Sequence, residues 1–344
     1  MNDLERVVQH DINKIISELK RCTSMNIYSD LVAKLYYLNE LIVLKKLNIE
    51  YPKEYWFEYF KNDNNNKKTD FYKEVNYNIN INYDYNLKLA KMSDKLSNRY
   101  VDEGNSIFLR YTPFKKSFEL VSSFLKTFDN DIYKYYLELI NSPRFVLLDQ
   151  VDNYEGWALR NNYLVDSYTI IIPNLFITDY LAILHETMHS YNFKLIKNCS
   201  IKEQDNITIN GLFEAPSFFI EHVALDYLDK IGYDKKEVYK LRGLFDKELI
   251  FLLETYKNML LDGFDEYSDY LYNETYSFGR VLSYHFYDNY LKDPNGTLNN
   301  LKKFMVDYKT YDKYYLLNNY GLNSNDIINS QKLTRHMDKH LMRL

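Results

Sequence analysis

His185, Glu186 and His189 are the residues of this chain whose types and spacing are best suited to chemistry. On a helix, side chains four positions apart lie one turn apart on one face, so both imidazoles can reach a single tetrahedral metal ion. Glu186 is carried beside that ion without being forced to bind it, which is where a general base for an attacking water has to stand. The surrounding segment LAILHETMHSYN agrees with a helix: Tyr180, Leu181, Ile183, Leu184 and Met188 supply apolar surface for burial, and Thr178 or Asp179 is expected to cap its start.

A catalytic site of this kind needs a third protein ligand and one position left for solvent. Downstream candidates are Glu203, Glu214, Glu221, His222 and His285. Glu203 lies in the polar stretch KNCSIKEQDN and reads as solvated. His222 and His285 read as core or surface histidines. Glu214 belongs to GLFEAPSFFIEHVALDYL, where Phe218, Phe219, Val223, Ala224 and Leu228 recur at helical spacing. A carboxylate in such apolar surroundings is costly without a partner, and a divalent cation would be that partner. Glu221 follows by seven residues on the same helix face, either as a group bonded behind the ligands or as a structural ion-pair partner.

These residues must be held by a mostly helical scaffold. The 344 residues include only 9 Gly and 6 Pro, and apolar positions recur at helical spacing over most of the chain. Leu4, Val7, Val8, Ile12, Ile15, Ile16 and Leu19 form one stripe, and a second helix is expected from Tyr28 to Leu47. Lys61 to Asp70 reads as a solvated loop. Helical patterns resume near Leu87 and run, with a break before Pro113, to about Leu139. Between Arg144 and Phe176, FVLLDQ, the Gly156 region and SYTIIIP predict two or three short strands. Beyond Thr178 helices return, with breaks near Gly211, Gly232, Pro294 to Gly296 and Gly321. Functionally, the chain divides into an N-terminal helical region, 1–143, and a region carrying the chemistry, 144–344.

With 48 acidic against 43 basic residues and a net charge of −5, the chain has no basic footprint for nucleic acid. No apolar stretch is long enough to span a membrane. The charged opening segment does not read as a signal peptide, and two distant cysteines, Cys22 and Cys199, agree with a reducing compartment, so a cytoplasmic location is expected. The 36 Tyr read as a compositional bias and not as a functional signal.

Beyond the motif itself, the residues resemble the thimet oligopeptidase and oligoendopeptidase F family of zinc peptidases, in which an HExGH helix is followed after 25 residues by the Glu of an EAPS segment. Glu214 opens Glu214-Ala215-Pro216-Ser217 and lies 25 residues beyond His189. Upstream, YTIIIPNLFITDYLAILHETMH looks like the family's edge strand and the turn into its metal helix. Downstream, YNETYSFGRVLS looks like its tyrosine-bearing segment. The resemblance covers roughly Arg144 to the C-terminus. It implies a mainly α metallopeptidase fold with a small β-sheet before the HExxH helix and a substrate cleft between helical halves. It also implies one zinc ion per chain on His185, His189 and Glu214, Tyr276 as the hydroxyl that stabilises the oxyanion, and Tyr272 as a second active-site hydroxyl. The sequence departs from the family at Met188, which replaces a Gly and would crowd the cleft. It also lacks a His about ten residues before the tyrosine pair, and its N-terminal portion is short.

The function so implied is endopeptidase action on short or unfolded peptides, with Glu186 taking the proton of water and passing it to the leaving amine. Ser167 to Ile172 offers either a sheet edge on which a peptide adds as a strand, through Gly156, Tyr168, Thr169 and Ile170, or a strand that only braces the metal helix. The alternative function keeps the zinc site in a specialised peptide-binding or leader-processing protein.

Overall fold

Helical spacing becomes helix in most of the residues that the computed structural model describes: 83–97, 109–142, 144–147, 156–159, 167–196, 212–263, 267–307 and 310–320, with eight positions between 10 and 21. The expected helix from Tyr28 to Leu47, the loop from Lys61 to Asp70, Glu203, Gly211, Gly321 and both cysteines lie outside them. Contacts gather the chain into two units, Met1–Lys73 with Arg110–Cys199, and Glu74–Leu109 with Ser200–Leu344.

Among its described residues the first unit combines helices with a small sheet. Helices α3 (Phe114–Phe128) and α4 (Asn130–Ile140) follow α1 (Tyr83–Ala90) and α2 (Met92–Ser97) of the other unit in chain order. Leu120, Val121, Phe124, Leu125 and Phe128 fall on one face of α3 and are buried. Asp129 separates the two helices, because its carboxylate accepts the backbone N–H groups of Asp131 and Ile132 at 2.9 and 3.0 Å and so satisfies two donors that the start of α4 would leave open.

Three strands precede the histidine helix, as the β-branched runs predict: β1 (Phe145–Leu147), β2 (Gly156–Leu159) and β3 (Tyr168–Ile171). Their order is β1-β3-β2, with β1 parallel and β2 antiparallel to β3. This corrects the expectation that the strand beginning at Tyr168 is an edge. Backbone pairing with Phe145–Leu147 on one side and Gly156–Leu159 on the other uses both its hydrogen-bonding sides, so a peptide cannot add there. The two edges of this sheet are β1 and β2, and β2 pairs Gly156 with Ile171 and Ala158 with Thr169.

Helix α5 (Thr178–Leu195) follows immediately. Neither Thr178 nor Asp179 caps it, contrary to expectation; the N-cap position is Ile177, without a side-chain hydrogen bond. The Asp179 carboxylate instead reaches back and accepts the backbone N–H groups of Asn174 and Leu175 at 2.8 and 2.9 Å. Leu175 has a φ of 62°, a region unfavourable for a leucine, and these two bonds hold that turn in place. Burial pushes the Asp179 carboxyl up from its ordinary pKa, while the two N–H donors pull it down.

In the second unit, α6 (Ala215–Lys230), α7 (Lys235–Asp262), α8 (Tyr267–Tyr290), α9 (Pro294–Asp307) and α10 (Lys313–Asn319) follow in order. Gly232, with φ 77°, makes the turn from α6 to α7, and Gly263, with φ 91°, ends α7. Helix α8 supplies the central apolar face: Phe278, Leu282, Phe286 and Tyr287 are buried, each such side chain contributing about 1.5–3 kcal/mol relative to exposure. Among the described residues no helix is long and apolar enough to cross a membrane.

Candidate metal centre

In the first unit, the two imidazoles project from successive turns of α5 with ring centroids 4.7 Å apart and planes at 72°. Their Nε2 atoms stand 3.0 Å from each other. Two nitrogens on one tetrahedral zinc, each at about 2.0–2.1 Å, would be about 3.3 Å apart, so this pair fits a shared ion with little adjustment. Glu186 (8% exposed) and His189 (7% exposed) are buried, while His185 is half-buried.

What holds α5 there is visible one residue beyond His189. Thr169 on β3 and Ser190 share a hydroxyl hydrogen bond of 2.6 Å, and Ser167 donates to the Ser190 carbonyl at 3.3 Å. Thr169 thus acts as a brace for the histidine helix. Met188 is fully buried, so its bulk occupies packed space and not open surface.

In the second unit, Glu214 sits at the N-terminal end of α6 and is 4% exposed. Pro216 in the first turn fixes the helical start at no hydrogen-bond cost. Helix α8 approaches this point closely: a Cβ added to Gly279 would lie 2.9 Å from the Glu214 Cβ and 3.5 Å from the Ala215 nitrogen. Glycine at 279 is therefore a packing requirement. Tyr272 and Tyr276, one turn apart on α8, stack with centroids 4.2 Å apart, and the Tyr276 ring meets Phe218 edge-on at 5.6 Å. The Tyr272 hydroxyl has its pKa raised by partial burial and by the negative fields of Glu248 and Glu214, against a smaller opposing effect of Arg280. The Tyr272 hydroxyl therefore remains a hydrogen-bond donor at neutral pH.

Glu221 is ion-paired: the Arg280 guanidinium donates to its carboxylate at 2.8 Å. Sequence reasoning passed over Arg280, although a charged residue between Phe278 and Val281 on an otherwise apolar stretch of helix was its signal. His222 is a core histidine, set among Tyr284, Tyr287 and Phe245. His285 is hydrogen-bonded by Asn289 at 2.9 Å and lines a separate polar cavity of about 340 Å³ with Lys303 and Asp307.

His185 and His189 of the first unit and Glu214 of the second offer two imidazole nitrogens and a carboxylate oxygen, donor types that could hold a metal ion. No protein-family model matches the chain, and no curated protein matches it. Solved structures do. A candidate oligoendopeptidase F from Bacillus anthracis str. Ames shares its fold. That match has a TM-score of 0.52 at 10% identity and covers 90% of this chain and 63% of the other. A candidate peptidase from Chlamydophila abortus matches at a TM-score of 0.48 and 15% identity, over 91% of this chain and 61% of its own. The chain spans less than two thirds of the length of each.

Proposed function

We propose that this chain is a zinc-dependent endopeptidase acting on short or unfolded peptides, with His185, His189 and Glu214 as the metal ligands and Glu186 as the general base. The observation that carries this is the convergence of two imidazole nitrogens to 3.0 Å on one helix, with His189 and Glu186 of that helix buried. The likeness of the fold to a candidate oligoendopeptidase F supports it.

When bound, zinc would lower the pKa of water toward about 7 and polarise the scissile carbonyl. Glu186 accepts the proton of the attacking water and delivers it to the leaving amine, so that one water is consumed and one peptide bond is broken. Tyr276, seconded by Tyr272, donates a hydrogen bond to the oxygen that gains charge, an effect worth about 3 kcal/mol. Thr169 and Ser190 keep the histidine turn in register with the sheet. Main-chain recognition of the substrate falls to the Gly156–Leu159 edge, where Gly156 lets an extended peptide approach closely. Residues 144–344 would carry this chemistry, residues 1–143 would help to enclose the substrate, and the setting would be cytoplasmic.

Quenched oligopeptides assayed with the native protein, with a chelator and with Glu186→Gln test this proposal. Cleavage only by the metal-loaded native protein is expected; equal signals in all three would remove the enzyme. Metal analysis of His189→Ala and Glu214→Ala tests the ligands separately, and undiminished zinc in the Glu214 variant would reject that assignment. Zinc retained by a native protein that binds peptides without cutting them would favour the peptide-binding alternative.

A further inference from the structure

We propose that Arg280 is a positioning residue that fixes Glu214 and Tyr276 in one geometry by clamping α6, α7 and α8 together. This rests on reading Glu214 as a ligand and Tyr276 as the oxyanion donor.

The side chain of Arg280 is 4% exposed and has charged partners from two other helices. Its guanidinium donates to Glu221 of α6 at 2.8 Å and to Glu248 of α7. Its planar head lies over the ring of Phe218 at 3.7 Å and near that of Phe245 at 4.7 Å. Lysine could not reproduce this arrangement, because two carboxylates and two ring faces are matched to a flat fork and not to a point charge. Burying such a charge is expensive, and a well-packed apolar side chain is often as stabilising; what the ion pair adds is a fixed orientation.

That orientation reaches the proposed site along two short paths. Phe218, one turn beyond Glu214 on α6, carries Arg280 on its face and touches Tyr276 edge-on at 5.6 Å. Gly279, adjacent to Arg280, is the point at which α8 closes on the Glu214 Cβ. Loss of the clamp would let α8 rotate or retreat from α6, and the carboxylate and the hydroxyl would shift together. Among the described residues, Arg242 is bonded to Asp226 and Tyr284 to Asp246, whereas Arg280 is the guanidinium that lies over Phe218.

The test compares Arg280→Lys, which keeps the charge, with the pair Arg280→Met and Glu221→Gln, which removes the charge without stranding the Glu221 carboxylate. Arg242→Lys, at an equally buried guanidinium in the same unit, is the control. Each is measured for melting temperature, for zinc affinity by competition with a chelator, and for kcat and KM well below melting. Both Arg280 variants should bind zinc about 10- to 100-fold more weakly and lose kcat by a similar factor, with KM nearly unchanged. Arg242→Lys should change only the melting temperature. Native zinc affinity and kcat in the Arg280 variants, or equal losses in Arg242→Lys, would overturn the inference while leaving the peptidase proposal intact. A native protein that holds no zinc would overturn that proposal and this inference with it.

Discussion

At the scale of single residues, Glu186 makes the sharpest claim, because its proposed role is separable from metal binding. Glu186→Gln keeps the shape and removes the base, so peptide turnover should fall by about 10²- to 10⁴-fold while zinc content stays at the native level. Loss of zinc together with activity would show that position 186 is a ligand. Asp246 makes a different claim. It is buried, accepts the Tyr284 hydroxyl, and has its pKa pushed up from 3.8 to about 6 by burial, against the opposing hydrogen bond and the fields of Arg242 and Arg280. A carboxyl whose folded pKa is raised favours the fold when protonated, and that contribution is fully present below pH 4 and lost as pH rises through about 6. Melting of the native protein and of Asp246→Asn between pH 4 and 7 checks this: the native stability should decline across that window relative to the variant. Parallel curves would refute it.

Elements are placed by a few close approaches, and two of them can be tested by sign. In an exposed helix interior, Gly→Ala stabilises by about 0.8–1 kcal/mol. At Gly279 the added methyl would meet the Glu214 Cβ at 2.9 Å, so Gly279→Ala should instead destabilise, by about 1–3 kcal/mol in chemical denaturation. A stabilised variant would mean that α8 does not close on α6 there. In the first unit, Thr169→Val strands the buried Ser190 hydroxyl and should cost about 1–3 kcal/mol. The brace and not the edge is thus the role that the tertiary pairing assigns to this strand. From the sequence, Ser167 to Ile172 suited both roles equally, because alternation and β-branching say that a segment is a strand but not which neighbours it finds. The same holds at Asp179: an acidic residue at a helix start usually caps that helix, and only the turn at Leu175 reveals where its carboxylate goes.

For the whole molecule, a ligand held only by the folded chain raises stability in proportion to the logarithm of its concentration over Kd, about 2.7 kcal/mol at 100-fold excess. The melting temperature of the native protein should therefore fall on chelation and return with zinc, while that of His189→Ala should not respond. Much of what this rests on is legible along the chain. Helix period alone puts His185 and His189 on one face, and apolar spacing around Glu214 marks a buried carboxylate. The scarcity of Gly and Pro announces a helical fold. These are local facts, because 3.6 residues per turn and the cost of burying a charge do not depend on distant partners. The central place of β3, the glycine at 279 and the clamp at Arg280 depend on which remote segments meet, and no spacing within one segment encodes that choice. Only the folded chain decided them, through contacts between residues as far apart in sequence as Glu221 and Arg280.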